Sequence, residues 1–222
     1  MYKWKYIYLI PESVKEELTR GEKIHKYLEN ITLIGFNGRV TKDKIISGFE
    51  DNYTKDCIKN FLNSDLWDFS EIKSLLLEQL FYWKVKNYFI VGKLDRVDMR
   101  KDNKMRVIDY KISKHLRVKK NISKNQSGNL HSFQLKAYIA ALSEIYKKPV
   151  EDITGFLFYL EDGVDISVSF KSNEIEKFKQ DILGIINNIL SNNFNGALVS
   201  TCSNKKCCYA EFCSHTYDYK RH

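Results

Sequence analysis

The stretch Val91 to Ile112, VGKLDRVDMRKDNKMRVIDYKI, constrains what this chain can fold into more than any other. Its middle, Arg100 to Lys104, is a polar run between two strand-forming segments and reads as a hairpin turn. With the hairpin centred on Asp102, Asp95 and Asp109 each lie seven residues away, so they stand opposite each other and point to one face. Alternation along the second strand puts Val107, Asp109 and Lys111 on one face and Ile108, Tyr110 and Ile112 on the other. Two carboxylates and an amine thus converge while an apolar face is buried. Such a set suits divalent-metal hydrolysis of a phosphodiester. Carboxylate oxygens hold Mg²⁺ or Mn²⁺, the ion lowers the pKa of a bound water, and a lysine orients that water or stabilises the transition state. A surface hairpin whose Asp and Lys form a salt bridge is the alternative these residues alone leave open.

The rest of the chain reads as one α/β domain around this hairpin. Tyr2 to Ile10 could be a strand or the end of a helix. Ser13, with Glu16 three residues on, reads as the N-cap of a helix through about Asn30 whose apolar stripe is Ile24, Tyr27, Leu28 and Ile31, with His25 beside it. A second helix is expected over Lys42 to Leu62, containing Cys57, and strands over Ile72 to Val97. Glu78 lies inside the apolar run SLLLEQLFYW, where a carboxylate is costly to bury unless paired or employed. After the hairpin come a loop to about Leu130 and a helix to about Tyr146, on which Gln134 and Tyr138 share a face. A second hairpin turning at Asp162-Gly163 follows, and then a helix from Asn173 to about Leu190. No internal repeat is present.

A chain of 222 residues, 43% hydrophobic, is long enough to bury a substantial core. The net charge of +8 matters because of its distribution. No acidic residue occurs from Tyr110 to Ser143, while Lys111, Lys114, Arg117, Lys119, Lys120, Lys124 and Lys136 are all basic. A solvated loop is one reading and a polyanion-binding segment the other. The N-terminus lacks the continuous apolar core of a signal peptide, and no run is long enough to span a membrane, so a cytoplasmic protein is expected. In that compartment thiols stay reduced, and four of the five cysteines fall within Cys202 to Cys213. That clustering points to a metal or cluster sooner than to disulfides.

GKLDRVD followed by VIDYK, with Gly21 and His25 upstream, Glu78 between, and a downstream Gln134–Tyr138 pair, resembles the RecB-type branch of the PD-(D/E)XK nuclease superfamily. The resemblance covers nearly the whole chain and lies in the order of the motifs. It implies a restriction-endonuclease-like core, a mixed central sheet flanked by helices, with a cysteine-rich C-terminal tail. The division would be a nuclease domain over residues 1–200 and a tail over 201–222. It implies that His25, Asp95, Asp109 and the main-chain carbonyl of Tyr110 bind Mg²⁺ or Mn²⁺. Lys111 would be the catalytic lysine and Glu78 an active-site acid, while Gln134 and Tyr138 support the site or touch the DNA backbone. Placed directly after a catalytic lysine, Lys119, Lys120 and Lys124 become candidates for holding phosphates without base specificity. The implied activity is DNA cleavage on single strands or ends, in repair, recombination or CRISPR adaptation. A nucleic-acid-binding module without chemistry is the rival.

The tail CSNKKCCYAEFC is similar to that of RecB-type nucleases whose 4Fe-4S cluster is held by one cysteine before the core and three after it, spaced C-x2-C-x5-C. Cys207 and Cys213 reproduce the last spacing, whereas Cys202 and Cys207 are C-x4-C, and Cys208 adds an ambiguity. The resemblance therefore assigns Cys202, Cys207 and Cys213, with a zinc site as the alternative. Its fourth ligand belongs just before a stretch like YKWKYIYLIP. The chain is thus expected to begin just after that cysteine, with a helicase or other domain once preceding it. Cys57 is the fallback ligand, against its reading as a buried small hydrophobe.

Overall fold

A computed structural model describes residues 16–38, 40–113 and 127–191. The chain divides into a compact unit of Arg20–Lys179 and a second made of the flanks, Met1–Thr19 with Gln180–His222. Everything that positions the candidate site lies in the first.

The sequence periodicity becomes α1 (Glu16–Phe36), α2 (Lys42–Ser47), α3 (Asn52–Leu62), β1 (Ile72–Val85), β2 (Tyr88–Arg100), β3 (Met105–Lys111), α4 (Ser127–Tyr146), β4 (Ile153–Tyr159), β5 (Val164–Val168) and α5 (Ile175–Leu190). The helix expected over Lys42–Leu62 is two helices. Gly48 closes the first, and Asp51 starts the second by accepting the Thr54 backbone N–H at 2.8 Å. The first helix runs to Phe36, beyond the expected Asn30.

The described strands form one five-stranded sheet in the order β1-β2-β3-β4-β5, antiparallel except for the β3–β4 pair. A parallel pair needs a crossover, and α4 lies in that connection. The β2–β3 register runs from Arg96 opposite Ile108 to Met99 opposite Met105, which centres the hairpin on Asp102 as its sequence implies. The Asp162 hairpin joins β4 to β5, with Gly163 at φ +65°, a conformation glycine adopts without strain.

Both faces of β3 are covered. On one, Ile108 and Tyr110 join Ile24, Leu28 and Ile31 of α1, Ile58, Phe61 and Leu62 of α3, and Phe158 of β4 in a single apolar cluster. The opposite face is covered by α4. There Leu135 approaches so closely that a Cβ on Gly155 would lie 2.5 Å from its Cγ, so a glycine in β4 sets the depth of the helix. Phe81 of β1 meets the Tyr138 ring edge-on at 5.6 Å, and the Trp83 indole N–H donates to Glu144 at 2.9 Å. The hairpin's carboxylate face is thus covered as well as its apolar face, and the carboxylates that lie there must be compensated. Among the described residues, no helix is long and apolar enough to cross a membrane.

Candidate active site

Asp95 is held from two sides. Its Oδ2 accepts the backbone N–H of Tyr110 at 2.8 Å, which ties the middle of β2 to β3, and its Oδ1 lies 3.4 Å from His25 Nδ1. His25 reaches this point because Ile24 and Leu28, its neighbours on α1, are buried in the apolar cluster and fix that helix against the sheet. Burial works against a charge on the imidazole. The Asp95 carboxylate, helped by Glu78 and Asp109, outweighs that, so the His25 pKa is raised above its ordinary value.

Glu78 completes this group through an unusual backbone. It sits within β1 at φ +50°, in the left-handed region that non-glycine residues rarely occupy. The β1–β2 register is unbroken across it, from Leu77 opposite Arg96 to Gln79 opposite Leu94, and the register shift in β1 lies between Ile72 and Ser74. His25, Glu78 and Asp95 each offer a ligand atom, and these atoms all lie within 4.8 Å of one another. Strained residues persist where the surroundings over-determine them, which is common at working sites. Glu78 also forms an ion pair with Lys93, a residue that no sequence motif singled out.

Asp109 lies beside this group, near enough for its charge to act on His25, and pairs with a lysine. Its Oδ2 lies 2.6 Å from Lys111 Nζ, and Lys111 in turn donates to Gln134 Oε1 at 3.1 Å. Gln134 Nε2 then donates to the Tyr138 hydroxyl at 2.6 Å. The line Asp109–Lys111–Gln134–Tyr138 therefore connects β3 to α4, and the Gly155 contact brings α4 near enough to make it. Burial pushes the Asp109 carboxyl up to about 6, with Asp95 adding to the effect and Lys111 opposing it. Burial likewise pushes the Tyr138 phenol up to about 12, so it stays protonated.

Of the residues assigned from sequence, His25, Asp95 and Glu78 are brought together, and Asp109, Lys111, Gln134 and Tyr138 form the adjoining line. The resemblance names Asp109 beside His25 and Asp95 as a ligand, and in the structure Glu78 also converges on that pair. Tyr110 contributes its N–H to Asp95, while its ring packs edge-on against Phe61 at 5.4 Å. Lys119, Lys120, Lys124, Cys202, Cys207 and Cys213 lie outside the described residues. Cys57 is buried in the apolar cluster, and burial pushes its thiol up to about 11, so it has the setting of a core residue.

Sequence reasoning passed over Arg96, which is fully buried. Its guanidinium donates to both Asp98 oxygens at 2.6 and 2.9 Å, stacks 4.9 Å from the Phe69 ring centre, and shares Asp98 with Arg106 at 2.7 Å. Its sequence neighbours include Lys93, Asp95, Asp98 and Arg100, so the signal that flagged Glu78, a charge inside an apolar run, was absent here.

An imidazole and two carboxylates converging within a few ångströms form a donor set suited to a divalent first-row cation or Mg²⁺. The concentration of negative charge, with Asp109 alongside, is what a bound cation would relieve.

A search of curated proteins found none that matches. The solved structure reported as the crystal structure of SSO0001 aligns at 17% identity with a TM-score of 0.43, covering 77% of this chain and 74% of its own. The sequence itself matches the family model described as the PD-(D/E)XK nuclease superfamily over residues 1–214. The mixed sheet with helices on both faces is the restriction-endonuclease-like arrangement expected of such a protein, and the chain belongs to the PD-(D/E)XK nuclease superfamily.

Proposed function

We propose that this nuclease is a divalent-metal-dependent deoxyribonuclease of the RecB type, acting on single strands or DNA ends. The observation that carries the reading is the convergence of His25, Glu78 and Asp95 within 4.8 Å, beside the Asp109–Lys111 pair. His25, Glu78 and Asp95 would hold Mg²⁺ or Mn²⁺, with Asp109 and the Tyr110 carbonyl close by. A cation bound there supplies positive charge against the scissile phosphate and makes water acidic enough to attack phosphorus at neutral pH.

The other residues act around that centre. Lys111, fixed between Asp109 and Gln134, presents an ammonium to the phosphate oxygens and orients the attacking water. Tyr138, still protonated at neutral pH, holds Gln134 and hence the lysine in place. Lys119, Lys120 and Lys124 grip the flanking phosphates.

The same reading gives residues 1–200 the nuclease role. It gives the tail, 201–222, a 4Fe-4S cluster on Cys202, Cys207 and Cys213, with zinc as the alternative. It also places a helicase domain or subunit beside the nuclease. Broad absorption at about 400 nm in anaerobically purified protein supports the cluster, and colourless protein with stoichiometric zinc refutes it. For the catalytic reading, Asp109→Ala and Lys111→Ala are expected to abolish Mn²⁺-dependent cleavage of labelled DNA while circular dichroism stays unchanged. Retained cleavage in both variants refutes it.

A further inference from the structure

The outer half of the β1–β2 hairpin has one face packed by α4 and one left open. The open face consists of three cross-strand pairs, Leu80 with Lys93, Tyr82 with Val91, and Lys84 with Phe89. All six are exposed, and the apolar ones are far more so than a monomer's surface requires: Leu80 54%, Tyr82 64%, Phe89 65% and Val91 57%. The alternate residues Phe81, Trp83 and Val85 are buried, so the exposure belongs to one face and not to a frayed strand. Neither exposed ring meets another ring among the described residues.

Two features point to what covers this face. Its charges, Lys84 and Lys93, are both cationic, and no acidic side chain occurs among the six. The face also leads inward to the site, because Lys93 forms an ion pair with Glu78, one of the three converging ligand side chains. Tyr82 and Phe89 belong to adjacent pairs and so are diagonal neighbours, at roughly 7–8 Å between backbone positions. That spacing lets each ring take one base of an extended strand while Lys84 takes a phosphate. Lysine is depleted in protein–protein interfaces, whereas aromatics interleaved with lysines are the chemistry of single-strand binding.

We infer that the open face of the β1–β2 hairpin is a stacking platform for single-stranded nucleic acid, on which Tyr82 and Phe89 stack bases, Lys84 contacts phosphates, and Lys93, paired with Glu78, marks where the strand is led toward the site. This rests on the nuclease reading for the direction of the strand, but the binding itself does not require cleavage.

The test is fluorescence anisotropy of labelled single-stranded DNA and RNA, titrated with the full chain in EDTA. The double variant Tyr82→Ala/Phe89→Ala is expected to bind at least about tenfold more weakly than wild type. Tyr82→Trp/Phe89→Trp should bind at least as tightly as wild type, and Lys84→Ala should weaken binding and flatten its salt dependence. Both ring positions are exposed, so thermal melts of all variants should coincide. Undiminished binding by the double alanine variant overturns the proposal, as does a wild-type chain that binds no single strand. A wild-type dimer that the double variant converts to monomer with unchanged affinity also overturns it and assigns the face to a second copy. Loss of binding in the double variant sustains the platform even where wild type proves unable to cleave. In that event the nuclease reading fails and the binding surface stands.

Discussion

Asp109→Asn should stabilise the metal-free protein at neutral pH while removing its activity. In the native state the carboxyl is lifted from 3.8 to about 6, so the folded protein binds this proton more tightly than the unfolded chain does. The sign follows: the group's contribution to stability is complete below 3.8, declines as pH rises toward 6, and above that leaves a constant penalty. Roughly two units correspond to about 3 kcal/mol. Asn has the shape of the neutral acid and Lys111 keeps its bond to Gln134, so most of that penalty should be relieved, about 2–3 kcal/mol. For a chain of this size that is a rise of roughly 5–10 °C in Tm. The assay is thermal melting by circular dichroism in EDTA at pH 7 and again at pH 5, where about half the difference should remain. Added Mn²⁺ should raise the wild-type Tm and narrow the gap. A variant that melts below wild type at pH 7 in EDTA would refute the reasoning, because the carboxylate would then be stabilising the fold.

Further outcomes follow from the packing around the site. Arg96→Met leaves Asp98 buried with only Arg106 as partner and should cost about 3–5 kcal/mol in urea unfolding, whereas Arg96→Met/Asp98→Leu should cost less than the single change. Gly155→Val forces a side chain into Leu135 and should destabilise by about 1–3 kcal/mol, with partial recovery in Gly155→Val/Leu135→Ala. Because burial lifts the Cys57 thiol to about 11, its peptide should remain unmodified after iodoacetamide treatment of native protein at about pH 8, and become modified in denaturant.

Much of the hairpin was legible in the sequence. Turn-forming polar residues around Asp102 and equal spacings to the two aspartates set the register, and local turn chemistry is what a sequence states most directly. The break between α2 and α3 was also written there, in Gly48 and in Asp51 placed three residues before Thr54, but the apolar pattern running through it hid the cap. The left-handed backbone of Glu78 was not legible. Nothing in SLLLEQLFYW marks a left-handed residue, and the side chains that meet it, Lys93 and Asp95 on the opposing strand and His25 on α1, come from elsewhere in the chain. Sequence order put Asp109 with His25 and Asp95, and in the structure its carboxylate acts electrostatically on both while pairing with Lys111. The link from Lys111 to Tyr138 depends on how closely α4 approaches the sheet, a tertiary distance set by Gly155.

The central claim is that the His25–Glu78–Asp95 cluster binds a divalent ion used for phosphodiester cleavage, and Asp95→Asn tests it most directly, since that carboxylate faces both His25 and the Tyr110 N–H. The measurement is single-turnover cleavage of labelled single-stranded DNA across a Mn²⁺ titration, with EDTA as the blank. The account predicts metal-dependent cleavage by wild type and a loss of at least about 10²-fold in the variant, with its fold intact. Equal cleavage by the two proteins, or cleavage by wild type that persists in EDTA, would contradict it.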